Sequence, residues 1–170
     1  SYEDKRPELT NAQRKMLSHY DNATLYNDSI VAQIVKRFQK QDAIVIYVPD
    51  HGEECYEENR GFICRNHSAE IDWPLAHYEF EIPFWIYCSP KYIRNHRDIY
   101  RQIRKAKDKR FMTDALPHLL LYLAGIETPT YKEEYNILSP KYDEMRPRIL
   151  KNSADYDKLR DAHLEKIKKE

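Results

Sequence analysis

Ala43-Ile-Val-Ile-Tyr-Val48, running directly into Pro49-Asp-His-Gly-Glu-Glu54, is the stretch on which the fold turns. Its first half is β-branched and continuous rather than alternating. Such a run predicts a strand buried on both faces, as in an α/β sheet. Its second half places an acid and an imidazole immediately beyond the strand's carboxyl end, where open α/β sheets bind ligands. Gly52 lets the backbone turn so that both side chains can face one point.

On either side of this stretch the punctuation is regular. Thr10-Asn-Ala-Gln13 fits a capping box, and helical character then runs to about Lys40, with an interruption expected near Asp21 and Asn22. Its best apolar face is Val31, Ile34, Val35 and Phe38, spaced for core packing. Glu54 to Tyr78 reads as a long polar loop with a short helix, and long loops inside compact domains are often functional. Ile82 to Cys88 predicts a second buried strand, and Ser89-Pro90 a helix start. Helical segments follow over Lys91 to Asn95 and Asp98 to Ala106. Thr113 opens another that stops at Gly125. Beyond Thr128 the chain reads as irregular, and residues 154–170 as a charged helical tail. The alternation predicts the α/β class with helices covering a sheet, but two clear strands are too few for a complete doubly wound sheet.

Composition narrows the function classes. Lys plus Arg (28) equals Asp plus Glu (28), so no net charge draws the chain to nucleic acid or an anionic membrane, and phosphate handling must come from a local site. Fourteen Tyr and three Gly describe an ordered chain rather than a linker. No apolar run reaches the ~18 residues that span a bilayer. Of three cysteines, Cys55 and Cys64 flank one loop; a disulfide between them and two buried thiols are both open readings.

Asp50 and His51 form an O,N donor pair suited to zinc or manganese. On these residues alone the other reading stays open: a turn whose Asp accepts local backbone amides. Glu53 is placed to orient His51 from behind, although a solvated Glu53-Glu54 pair is the plainer interpretation. His118 reads as a hydrogen-bonded structural histidine in a Leu-rich helix, and His77 and His96 as surface residues. Cys88-Ser-Pro-Lys-Tyr92 lacks the arginine of a C-x-P-x-R motif and is rejected as a nucleophile site. The basic run Arg101 to Arg110 reads as a solvated helix face.

Taken together and in order, Tyr20-Asp-Asn-Ala-Thr-Leu-Tyr-Asn-Asp28, Ile46-Tyr-Val-Pro-Asp-His-Gly-Glu-Glu54, His67, Glu81-Ile-Pro-Phe-Trp-Ile-Tyr-Cys-Ser89 and Phe111-Met-Thr-Asp-Ala-Leu-Pro-His118 resemble the phosphoethanolamine transferases that decorate lipopolysaccharide. More loosely they resemble the sulfatases of the same alkaline-phosphatase superfamily. The resemblance covers roughly Leu17 to Leu159. It implies a partial alkaline-phosphatase/sulfatase-like α/β/α sandwich, with residues 1–170 as the C-terminal portion of one catalytic domain. It implies that Asp50 and His51 coordinate zinc, one ion or two, and that His67 contacts the substrate phosphate or a second metal. The family's threonine nucleophile, an acidic zinc ligand and a further histidine lie upstream in its sequence order, so no catalytic nucleophile is expected in this chain. The partners implied are a phospholipid donor and a glycolipid acceptor such as lipid A or the core sugars. A membrane anchor N-terminal to this chain, a monomeric protein, no nucleic acid, and a location on the periplasmic face of the bacterial inner membrane complete the expectation. Two alternatives remain: a sulfatase or phosphodiesterase of the same superfamily, and a non-catalytic α/β module in which Asp50-His51-Gly52 is only a turn.

Overall fold

The structure, a computed structural model, describes residues 5–64 and 70–169. Helix α1, Asn11–Phe38, opens on the predicted capping box: Thr10 Oγ1 accepts from Gln13 N at 3.3 Å and Gln13 Oε1 accepts from Thr10 N at 2.8 Å. The expected interruption at Asp21-Asn22 is absent. No Gly or Pro breaks the run, and both side chains are exposed, where they cost the helix little. At 28 residues α1 is about 42 Å long, and its apolar face is covered only in part. Leu17 is buried, Val31, Val35 and Phe38 are half-buried, and Ile34 is exposed.

Strand β1, Ile44–Tyr47, pairs antiparallel with β4, Trp85–Cys88, in the register Ile44↔Cys88 to Tyr47↔Trp85. Tyr47 and Trp85 stack at 5.2 Å. The two strands predicted as fully buried are half-buried throughout, because a two-stranded sheet has two edges and α1 packs against it from one side. Ser89 ties the far end: its Oγ caps the next helix at Tyr92 N (3.0 Å) and donates to Gln41 O (2.6 Å).

The stretch read as a long loop carries more structure than expected. Strands β2, Glu54–Cys55, and β3, Phe62–Cys64, form a small antiparallel hairpin around a 3-10 turn at Glu57–Asn59. Helix α2, Trp73–Phe80, follows, capped by Asp72 Oδ1 on Leu75 N at 3.0 Å. The backbone register sets Glu54 opposite Cys64; the Cys55–Cys64 pairing itself lies outside the described side chains. Glu54 is not solvated, as its sequence context suggested, but wholly buried. Arg60 Nε meets Glu54 Oε1 at 2.5 Å and Arg60 Nη1 meets Asp72 Oδ2 at 2.5 Å, joining hairpin to helix. Burial pushes the Glu54 carboxyl up against the pull of Arg60.

Helices α3, Pro90–Asn95, α4, Arg97–Ala106, and α5, Leu116–Ala124, fall where the punctuation placed them, the last ending on Gly125 at φ +65°. The segment after Thr128 is not simply irregular. Asn136 to Ser139 are all buried, and Ile137 and Leu138 pack with Leu119 and Ala106. Strands β5, Ile149–Leu150, and β6, Ala154–Asp155, make a tight hairpin leading into α6, Tyr156–Ile167. Leu150 and Tyr156 join Ile71, Leu75 and Ala76 in one core cluster, so α6 docks on α2.

Candidate metal centre

Strand β1 delivers Pro49, Asp50 and His51 to the end of the sheet, beside Glu81–Phe84 at the start of β4. Asp50 Oδ2 lies 3.5 Å from His51 Nε2. The two side chains therefore converge. Two ligands on a tetrahedral zinc at bonds of about 2.0–2.2 Å are separated by about 3.4 Å, so this pair has the spacing of one edge of such a site. His51 Nδ1 sits 2.7 Å from the Gly52 carbonyl. With its proton on Nδ1, the ring donates to that carbonyl and turns the Nε2 lone pair toward Asp50, as in histidines that bind metal through Nε2. Asp50 is 83% exposed and His51 26%, so an ion can reach both.

Gly52 is required here by close approach. Its N–H donates to Glu79 O at 2.8 Å. A Cβ at this position would stand 2.2 Å from Tyr78 O, far inside contact distance. The last turn of α2 thus presses on the Asp-His-Gly turn and fixes it. Glu53, expected to orient His51, is half-buried, and the Nδ1 position is held by the Gly52 carbonyl instead. His67, the expected phosphate contact, lies outside the described residues. Among the described residues no three His, Cys, Asp or Glu side chains are grouped to hold a metal, so Asp50 and His51 supply two donors.

The pair opens on a cavity of about 750 Å³, within the range of small-molecule sites, about 300–1,000 Å³. Its lining includes Glu79, Glu81 and Phe84 beside the pair, Lys109, Arg110 and Thr113 from the loop after α4, and Arg148 and Tyr156 from the C-terminal segment. Tyr156 donates its hydroxyl to Glu81 Oε1, and His77 Nδ1 stands 3.0 Å from Glu81 Oε2. Burial and then this carboxylate push the Tyr156 phenol up to about 12. Burial raises the Glu81 carboxyl, but the bonds from Tyr156 and His77 outweigh it and hold it below its ordinary value. Arg110 and Arg148 both bind Asp157, and the Arg148 hydrogen bond leads in holding that carboxyl low.

Sequence reasoning missed this second wall. Lys109 and Arg110, read as part of a solvated face, turn inward: Lys109 Nζ donates to Ile137 O at 3.1 Å, and Arg110 reaches Asp157 across 47 residues. His118 behaves as expected, accepting from Lys132 N at 3.1 Å. Cys88 ends its strand half-buried, and burial raises its thiol. Among the described residues no helix is long and apolar enough to cross a membrane.

A model of the sulfatase family matches residues 1–126. The chain is 30% identical over 161 residues to the phosphoethanolamine transferase EptC of Escherichia coli, covering 90% of this chain and 26% of that protein. It is 30% identical over 93 residues to the phosphoethanolamine transferase EptA of Helicobacter pylori, covering 54% and 17%. The crystal structure of the C-terminal periplasmic domain of EptC from Escherichia coli superposes with a TM-score of 0.70 at 28% identity, over 89% of this chain and 43% of that one; the same domain in complex with Zn does so equally, over 42% of its chain. The chain thus spans about a quarter of the length of EptC and about a sixth of that of EptA. Because 90% of 170 residues is about 153, the match to EptC extends past residue 126, where the family model ends.

Proposed function

Because this chain belongs to the sulfatase family, we propose that its Asp50 and His51 are two ligands of a zinc centre in an enzyme that moves phosphoethanolamine from a phospholipid to a cell-envelope glycolipid. The observation that carries this reading is the 3.5 Å convergence of Asp50 Oδ2 and His51 Nε2 with Nδ1 tied to Gly52 O. The similarity to EptC over 90% of the chain supports the transferase assignment, and the zinc complex of the related periplasmic domain supports the choice of metal. The whole protein then works at the periplasmic face of the inner membrane as an anchored monomer, with lipid A or the core sugars as acceptor.

Bound zinc supplies two things: it lowers the pKa of a coordinated hydroxyl and offsets charge on the transferring phosphoryl group. The residues of this chain prepare the site. Asp50 offers a carboxylate oxygen to the ion and His51 its Nε2. The Gly52 carbonyl keeps the proton on Nδ1, and the Glu79 carbonyl holds Gly52 in place. His67 contacts the phosphate in this scheme. The threonine that accepts the phosphoryl group, forming a phospho-threonine before transfer, comes from outside residues 1–170.

Zinc titration by calorimetry on the full-length protein and on its D50A/H51A variant tests the assignment. One zinc site is expected to vanish in the variant, with the far-ultraviolet circular dichroism unchanged. Equal stoichiometry and affinity in both would return Asp50-His51-Gly52 to the status of a turn.

A further inference from the structure

We propose that Arg110 and Arg148 form an anion subsite for a phosphate monoester on the acceptor, in the same cavity as the Asp50–His51 pair. The inference rests on the transferase reading, and adds to it a residue-level account of what the cavity's second wall recognises.

The first support is charge. Arg110 Nη2 and Arg148 Nη2 both bind Asp157, and Arg160 Nη1 lies 3.5 Å from the same carboxylate. One negative charge answers two guanidiniums that line the cavity and part of a third. Lys109, on the same wall, is held by the Ile137 carbonyl and the face of the Tyr142 ring at 5.4 Å, with no carboxylate in ion-pair range among the described residues. Of the cavity's acids, Asp114 on the same loop is held by both Nη atoms of Arg146, and Glu81 is engaged by Tyr156 and His77. The wall is therefore locally cationic although the chain has no net charge.

The second support is form. Asp157 holds both guanidiniums with Arg148 19% and Arg110 28% exposed, so the two forks are oriented before any ligand arrives. Planar forks match the oxygens of a phosphate in a bidentate manner that ammonium groups do not. A dianionic monoester suits two guanidiniums sharing one carboxylate better than the zwitterionic headgroup of a phosphoethanolamine lipid, which carries its own cation. The donor's headgroup and the acceptor's phosphate are the two sources of such chemistry at this enzyme, and the charge balance favours the acceptor.

The third support is where the wall comes from. Arg148 and Asp157 lie beyond residue 126, where the sulfatase family model stops, while the match to EptC continues. The metal pair belongs to the part shared with the family. Arg110 lies in that part too, but Arg148 and the Asp157 that orients both guanidiniums belong to a segment that the family model does not describe, as fits a device that selects the acceptor rather than one that performs the chemistry.

The test uses the 170-residue chain and the arginine Nε–Hε resonances in two-dimensional NMR. N-acetylglucosamine 6-phosphate is titrated beside N-acetylglucosamine and glycerophosphoethanolamine. The phosphorylated sugar is expected to shift the Arg110 and Arg148 signals saturably, the neutral sugar not at all and the zwitterion weakly. R110K and R148K keep a cation beside Asp157 but lose the fork, and each is expected to weaken binding about ten-fold. Zinc affinity measured in the same samples separates the two proposals, since loss of zinc binding speaks against the metal assignment alone. Shifts of equal size with the neutral sugar, stronger binding of glycerophosphoethanolamine, or unaltered affinity in both lysine variants overturns the subsite. Should a variant fail to fold, the wild-type shift pattern decides.

Discussion

Replacing Gly52 by alanine is the sharpest probe of how the site is held. The added Cβ would lie 2.2 Å from Tyr78 O and 3.2 Å from Tyr78 C. These are backbone atoms at the end of α2, so no side-chain rotation relieves the clash, and the turn must move off the helix by about 1 Å to reach ordinary contact. That movement stretches the Gly52 N–H···O Glu79 bond from 2.8 Å, worth about 0.5–1.5 kcal/mol net. Overpacking strain adds about 1–3 kcal/mol. The sum, about 2–4 kcal/mol, corresponds to a fall in Tm on the order of 5–15 °C for a chain of this size. The same displacement carries away the carbonyl that orients His51, so zinc affinity is expected to drop by about ten-fold or more even where the protein remains folded. Thermal unfolding by circular dichroism gives the first quantity and competition with a chromophoric chelator the second. A variant with Tm within about 1 °C of wild type and unchanged zinc affinity would refute the argument that α2 clamps the turn.

Three further outcomes are expected. Arg60→Ala leaves the fully buried Glu54 without its charge partner and should cost about 3 kcal/mol in urea unfolding; E54L/R60A should recover much of it, and a loss under about 1 kcal/mol in the single variant counts against the network. The hydrogen bond from Arg148 holds the Asp157 carboxyl below the ordinary carboxylate range, so its contribution is present above that range and lost as the pH falls through the folded value. The stability gap between wild type and D157N should therefore be wide at pH 5–6 and close below about pH 4, and a gap that stays constant to pH 2.5 contradicts the assignment. With its phenol near 12, Tyr156 should stay protonated at pH 11: the wild-type absorbance rise at 295 nm to that pH should equal that of Y156F, and a rise larger by one tyrosine shows a weaker Glu81 bond than the geometry indicates.

What could be read from the sequence, and what could not, divides along physical lines. Local rules sufficed where the deciding interaction spans a few residues. The Thr10–Gln13 box, Ser89 as a cap, and Gly125 as a stop all rest on bonds within one or two turns. The Asp-His-Gly turn was legible because a strand's end and three adjacent residues define it. The half-buried state of β1 and β4 was not, because a run of Ile and Val reports affinity for a core and not how many layers cover it. Glu54 misled for a related reason: a glutamate beside another glutamate looks solvated unless one knows that Arg60, six residues on, folds back over it.

The C-terminal segment presents the hardest case for sequence reasoning. Arg148 falls at the end of a stretch rich in proline and charge, and Tyr156 and Asp157 at the start of a charged helical tail that nothing local ties to the rest of the chain. Their partners, Glu81 and Arg110, lie 75 and 47 residues from Tyr156 and Asp157. Only after Leu150 and Tyr156 join Ile71, Leu75 and Ala76 in the core does the hairpin carry Arg148 to the cavity. The order of causation therefore runs from packing to electrostatics. Apolar burial of a few side chains places the segment, and the placed segment then gives a chain of zero net charge a cationic wall facing the Asp50–His51 pair. Composition cancels those charges; only the docking of α6 on α2 separates them.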